Sequence, residues 1–275
     1  MAYGFSYNGK HSDTFGIIMH SKNRVMFPAR NDKYEEIPGR DGSILFPGAF
    51  ADRFIELECG LAKKSLSELR KTLRQIAAWL STSGKAQLIF DDEPDLYYLG
   101  RIANQIDLEQ TMALGRFTFQ FRCAPLAFSV GGYEIEEWLT TVHTMQVNNE
   151  GTYDALPVIT ITAFETGQYR AVEVTGAYDP DADELVESDV IITNPTITVS
   201  VSEQTQTLRW VGTLAPGENL VVNCETMQAV KGEENAIGGI TEGFPVLRPG
   251  ANEVELVTTN LMGGFVKVQY IERWL

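Results

Sequence analysis

Apolar and polar positions alternate with two different periods along this chain. Between Ser65 and Ser83, the residues Leu66, Leu69, Leu73, Ile76 and Leu80 recur every three or four positions, which places them on one stripe of an α-helix. Ser65 and Glu68 fit a capping box, in which each side chain satisfies the other residue's backbone N–H. Gly84 follows as a stop signal. Lys71, Arg74 and Gln75 fall off the stripe, toward solvent or a partner. Around this helix the period is two. Ala86–Phe90 and Leu96–Ile102 flank Asp91-Asp92-Glu93-Pro94-Asp95, which reads as a hairpin with an acidic loop. Phe117, Phe119 and Phe121 alternate with Thr118, Gln120 and Arg122, the pattern of a strand with one buried face, and Pro125 ends that run.

The second half has almost no helical periodicity. Candidate strands are Pro157–Thr162, Arg170–Val174, Thr196–Ser202, Thr207–Val211, Leu220–Cys224, Asn252–Val257 and Phe265–Ile271. Turn signals at Pro216-Gly217, Gly238-Gly239, Pro249-Gly250 and Gly263-Gly264 punctuate them. Short strands at this spacing predict a β-sandwich of jelly-roll or related type. Gly131-Gly132 interrupts the pattern between Ser129 and Tyr133. The chain is therefore expected to be mainly β, with two domains. Residues 1–132 form a β-structure with one α-helix, and residues 133–275 form a β-sandwich.

Composition sharpens this picture. Of 275 residues, 44% are hydrophobic and 21% charged, enough apolar matter for a sizeable core. No apolar run is long enough to span a bilayer, so membrane insertion is not expected. Met1 to Lys10 is polar and aromatic and does not resemble a secretory signal, so folding and assembly are expected in the cytoplasm. Cys59, Cys123 and Cys224 lie far apart, and their spacing suggests neither zinc nor redox chemistry. They read as buried, reduced thiols, although Cys59 and Cys123 could lie on neighbouring strands. Residues 1–130 carry 16 basic and 15 acidic side chains; residues 131–275 carry 6 and 22, so nearly all of the −15 net charge sits in the second half. That acidic half would repel phosphates, which argues against sequence-specific nucleic-acid binding.

Candidate chemistry is thin. Asp91, Asp92, Glu93 and Asp95 could suggest a metal site or a carboxylate pair, but four acids in one turn are the chemistry of a solvated hairpin tip. Asp179, Asp181 and Asp183 alternate like the start of a calcium loop, yet Glu184 and Val190 occupy the places of its Gly and its bidentate Glu. His11, His20 and His143 show no metalloprotease spacing, and no nucleophile elbow or phosphate-binding glycine loop appears. Gly39-Arg40-Asp41-Gly42 reads as a turn. No enzyme, cofactor or metal is expected. Trp138, Trp210 and Trp274, with Tyr133, Tyr153, Tyr169 and Tyr178, fit a sandwich core, with a sugar-stacking face as the alternative.

One set of ordered motifs goes further. Tyr7-Asn8-Gly9 precedes Ser12-Asp13-x-x-Gly16-Ile17, then Ile37-Pro38-Gly39-Arg40-Asp41-Gly42, Trp79-Leu80, the Asp91–Asp95 loop and Tyr97-Tyr98-x-Gly100-Arg101-Ile102. Phe117-x-Phe119-x-Phe121-x-Cys123-x-Pro125 closes the first half. Asn149-x-Gly151-x-Tyr153-x-Ala155-x-Pro157, Phe244-Pro245-x-Leu247-x-Pro249-Gly250-x-Asn252 and Trp274-Leu275 follow. Across almost the whole chain this order resembles the siphophage distal tail protein family. The resemblance implies a structural protein of the virion tail tip, with a ring-forming N-terminal domain and a galectin-like C-terminal sandwich. It implies a homo-hexameric ring whose partners are the tail tube protein, a tail-associated hub protein and receptor-binding or baseplate proteins, in a phage or prophage of a Gram-positive host. Arg40, Asp41, Asp91, Asp92 and Asp95 sit in polar turns that the core does not need, and they are expected at inter-subunit or ring-face contacts of such a ring. A glycan-binding role for the C-terminal sandwich is the alternative function.

Overall fold

The computed structural model describes residues 4–111, 113–138, 142–163, 167–170, 185–188, 192–193, 195–201, 204–258 and 264–275. Two compact units emerge: Met1–Val130 with Trp274–Leu275, and Gly131–Arg273. The described residues are mostly strand, with a single α-helix.

The first unit is built on one antiparallel sheet. Its main strands are β1 (Phe5–Tyr7), β2 (Ile17–Arg24), then β3 (Lys33–Glu36) and β4 (Ser43–Phe46) in a separate hairpin, β5 (Arg53–Ala62), β6 (Ala86–Phe90), β7 (Glu93–Ile102) and β8 (Leu114–Ser129). The sheet runs β1-β6-β7-β8-β5-β2. The alternating phenylalanines work as expected, with Phe117, Phe119 and Phe121 buried and the residues between them turned outward. Pro125, however, does not end the strand. β8 continues to Ser129 because its register against β7 shifts between Cys123 and Ala127, and an irregularity of this kind accommodates a residue that cannot donate to the ladder.

Helix α1 spans Leu66–Leu80, with the Ser65 hydroxyl accepting from the Glu68 N–H at 3.2 Å. Its buried face is Leu69, Thr72, Ile76, Trp79 and Leu80, rolled away from the expected stripe, so Leu66 is exposed and Leu73 half-buried. Trp79 accounts for the roll. Its ring stacks on Phe15 at 4.8 Å and Phe5 at 5.9 Å, and its indole N–H donates to the Tyr7 carbonyl at 2.7 Å. One aromatic with a satisfied polar edge outweighs a leucine in the first turn. The helix ends at Leu80 with Ser81 as its cap, short of Gly84, whose carbonyl accepts from the Thr82 hydroxyl at 2.9 Å.

Cys59 and Cys123 do lie on the neighbouring strands β5 and β8, but Cys59 faces Phe117 and Cys123 faces Arg53 in the register, six positions apart. All three cysteines are free and buried, and burial pushes each thiol up to about 12.

The second unit is a two-sheet β-sandwich. One sheet orders β9 (Tyr133–Trp138), β17 (Gly264–Tyr270), β11 (Val158–Ala163), β14 (Asn219–Asn223) and β15 (Gln228–Lys231); the other orders β10 (Val142–Asn149), β16 (Gly250–Val257), β12 (Thr196–Val201) and β13 (Gln204–Arg209). Their inner faces meet in a core that includes Val147, Ile159, Ile161, Leu208, Val222 and Val268. Burying such side chains contributes about 1.5–3 kcal/mol each before entropy is charged against it. The motif residues Asn149 and Asn252 are fully buried structural clips. Asn149 donates to the carbonyls of Leu247 at 2.8 Å and Tyr153 at 3.1 Å and accepts from the Gly151 N–H at 3.0 Å. Asn252 closes the Pro249-Gly250 turn through the N–H and carbonyl of Arg248, both at 2.8 Å.

Candidate partner interface

Between β2 and β5 the chain leaves the sheet as an arm, residues 25–52, tipped by the β3–β4 hairpin. The base of the arm is zipped shut. The Asn31 N–H donates to the Ala49 carbonyl at 3.0 Å, Ala51 to Ala29 at 2.7 Å, and the Gly48 N–H to the Asp32 carboxylate at 2.8 Å. Phe27 meets Phe50 edge-on at 5.5 Å, and the Arg30 guanidinium lies 4.5 Å over the Phe50 ring. Gly48 is required there, since a Cβ would stand 1.9 Å from the Asn31 carbonyl oxygen.

Beyond that base the hairpin has almost no core of its own. Tyr34 is 62% exposed, while Leu45 and Phe46 are each 49% exposed. Met26, Phe27 and Ile37 are exposed as well. A two-stranded hairpin alone is marginal in water, so an arm carrying this much uncovered apolar surface is built to meet another surface.

The five expected contact residues fall into two groups. Arg40 and Asp41 lie exposed at the tip of the arm, between Gly39 and Gly42, whose φ angles of +85° and +81° make the bend. Neither forms an ion pair among the described residues. The acidic group is different in form from the expected five-residue loop. The turn is only Asp91-Asp92, and Glu93–Asp95 already belong to β7.

That acidic turn is also used within its own domain. Asp91 accepts from the Gly4 N–H at 2.8 Å and sits 3.0 Å from His11 Nε2. Lys22 pairs with Asp92, and Arg24 with Glu93, so edge strand β2 reaches the β6–β7 turn across a strongly curled sheet. Burial alone would lift the Asp92 carboxyl, but the hydrogen bond and charge of Lys22 outweigh it and hold Asp92 below the usual carboxylate range. Asp95 is exposed.

Among the described residues no three metal-ligating side chains converge. A polar groove of about 580 Å³ is lined by His20, Glu58, Asp107, Glu109 and Arg116, but its buried Cys59 thiol is held protonated. The calcium-like residues Asp179, Asp181 and Asp183 lie outside the described residues. Of the aromatics named from the sequence, Tyr178 and the side chain of Tyr169 lie outside the described residues. Trp210 is in the sandwich core with its N–H on the Ala236 carbonyl at 3.1 Å, and Trp274 donates to Ser129 Oγ at 3.2 Å in the first unit. Trp138 stands 59% exposed beside Phe265.

Sequence reasoning missed the apolar half of the arm. The signal was present: Lys33–Glu36 and Ser43–Phe46 flank a Pro-Gly turn and carry Tyr34, Ile44, Leu45 and Phe46.

Residues 12–123 match the family model described as the phage tail protein RIFT-related domain, and residues 180–274 match the siphovirus-type tail component C-terminal domain. No curated protein matches the chain. Among solved structures, SPP1 Dit, described as a paradigm of the hub adsorption apparatus in Gram-positive infecting phages, is 16% identical over 100% of both chains, with a TM-score of 0.74. A chain of the phage P2 baseplate in its activated conformation with Ca is 9% identical over 98% of both chains, with a TM-score of 0.41.

Proposed function

Because this chain belongs to the siphophage distal tail protein family and is a component of the tail tip, we propose that six copies close into a ring that joins the tail tube to the adsorption apparatus. The observation that carries this reading is the arm: a stiff base supporting apolar side chains that the chain itself leaves uncovered. A ring needs heterologous contacts, in which one surface of a copy meets a different surface of the next. A projecting arm supplies one such surface. Arg40 and Asp41 at its tip are positioned to pair with a neighbour. Asp95 is exposed and can face the ring edge, whereas Asp91 is engaged by the Gly4 N–H and His11 and Asp92 by Lys22, so those two act there through the contacts they already hold. The near-neutral first half suits close packing of copies, and the acidic second half suits solvent or a basic partner.

The expected neighbours are the tail tube protein above, a tail-associated hub protein below and receptor-binding or baseplate proteins at the periphery. The protein's task in this reading is assembly without turnover, at the virion tail tip after synthesis in the host cytoplasm. Mass photometry across concentration, with negative-stain images of the largest species, tests it: six-fold rings with a central hole are expected. Monomers at every concentration, both alone and with the tail tube protein, would reject it. Arg40→Glu with Asp92→Lys is expected to impair assembly, and normal rings from that variant would remove those residues from the interface.

Exposed Trp138, beside Phe265 and on the same face as Glu136 and Lys267, favours a second reading, in which the sandwich stacks a host-surface sugar. A glycan array with the full chain and its Trp138→Ala variant checks it, and equal signals from the two would dismiss the site.

A further inference from the structure

Beside α1 lies an open groove of about 240 Å³, lined almost wholly by apolar side chains, including Leu73, Ile76, Ala77, Ile106, Phe117 and Phe119. Nothing from the arm of the same chain lines it. Arg70 and Arg74 stand three residues before Leu73 and Ala77, so each is the neighbour of a lining residue along the helix surface. Both are exposed, and neither forms an ion pair among the described residues. The groove is thus apolar inside with a basic rim on one side.

The arm carries the complementary pattern. Tyr34 pairs with Leu45 across the hairpin, and Glu36 pairs with Ser43 two positions further on. Side chains two apart on a strand share a face, so one side of the hairpin presents an aromatic–aliphatic pair followed by a carboxylate. We propose that the Tyr34–Leu45 face of one copy's arm seats in the groove beside α1 of a second copy, with Glu36 turned toward Arg70 and Arg74. This rests on the ring reading above and names the two surfaces that would meet in it. A second copy is the occupant because one chain carries both halves of the match at different places, which is what a closing heterologous contact requires. A nucleic acid would use the cations but would leave the apolar lining and the arm unexplained.

Cross-linking the full chain tests the pairing. Leu45→Cys and Ala77→Cys place one thiol on each surface, and the three native cysteines are buried. A short bismaleimide should give the double variant a ladder of covalent multimers on a denaturing gel, rising to six chains, while each single variant stops at two. Arg74→Glu should lower the ladder yield about tenfold, and adding Glu36→Lys should restore it. Ring-sized particles without a ladder would overturn the groove pairing and leave the ring standing. A cross-link confined to one chain would also overturn the pairing. Monomers without a ladder, even with the tail tube protein present, would overturn both. If Arg74→Glu leaves the ladder intact but abolishes binding of a duplex DNA probe, the basic rim serves nucleic acid and the assigned charge pairing is wrong.

Discussion

Replacing Asn149 with alanine should disable the second unit while sparing the first. The side chain is fully buried and makes three hydrogen bonds, to the Leu247 and Tyr153 carbonyls and from the Gly151 N–H. Each is worth about 1 kcal/mol net, and each backbone group left without a partner adds part of its desolvation penalty, so the loss should be about 3–6 kcal/mol. Water cannot readily compensate at Gly151, whose backbone is crowded: a Cβ there would lie 2.5 Å from the Arg273 carbonyl oxygen. Against a typical domain stability of about 5–15 kcal/mol, such a loss leaves the sandwich only marginally folded. For a unit of this size it corresponds to about 10–20 °C in Tm. Differential scanning calorimetry of the full chain should show one transition moved down by that amount and another unmoved. Asn149→Asp should fare no better than alanine, because it keeps the acceptor for Gly151 but turns a carboxylate toward two carbonyls. A shift below about 3 °C for either variant would refute the assignment of the Asn149 motif to a structural clip.

Gly48→Val should open the base of the arm, since its side chain has no room beside Asn31, and should abolish oligomers in mass photometry while the circular dichroism spectrum stays that of a β protein. The three buried thiols, pushed up to about 12, should resist iodoacetamide at pH 8 until the chain is unfolded; labelling of any of them at the rate of free cysteine would contradict their burial. Their raised values also fix a sign. The stability they contribute is complete below the unfolded thiol value of about 8.5 and is lost as pH rises toward 12, so urea midpoints should fall across that alkaline window. Asp92 behaves oppositely. Its lowered carboxyl contributes stability above the ordinary value of about 3.9 and loses it as pH falls below that, and Lys22→Ala should flatten this acid-side decline in urea midpoint.

Much of the fold was legible in the sequence because local periodicity records it. The Phe117–Phe121 alternation, the helix near Ser65–Leu80 and most second-half strands appear within a few residues of where they were expected. Arg40 and Asp41 were recognisable as turn residues from their flanking glycines. Strand β10 escaped because His143 and Asn149 occupy inward positions, where a polar residue breaks the apolar alternation; both are satisfied by partners that periodicity does not show, Glu137 for one and Leu247 for the other. The roll of α1 onto Trp79, the passage of β8 through Pro125 and the pairing of Lys22 with Asp92 across 70 residues were decided by tertiary structure alone. So was the exposure of the arm: Tyr34 and Leu45 are apolar in any conformation, but whether they are covered depends on which other segment arrives beside them. A chain's own sequence sets the period of each element; what lies against its faces is set by segments far away, and here that leaves an apolar surface turned outward.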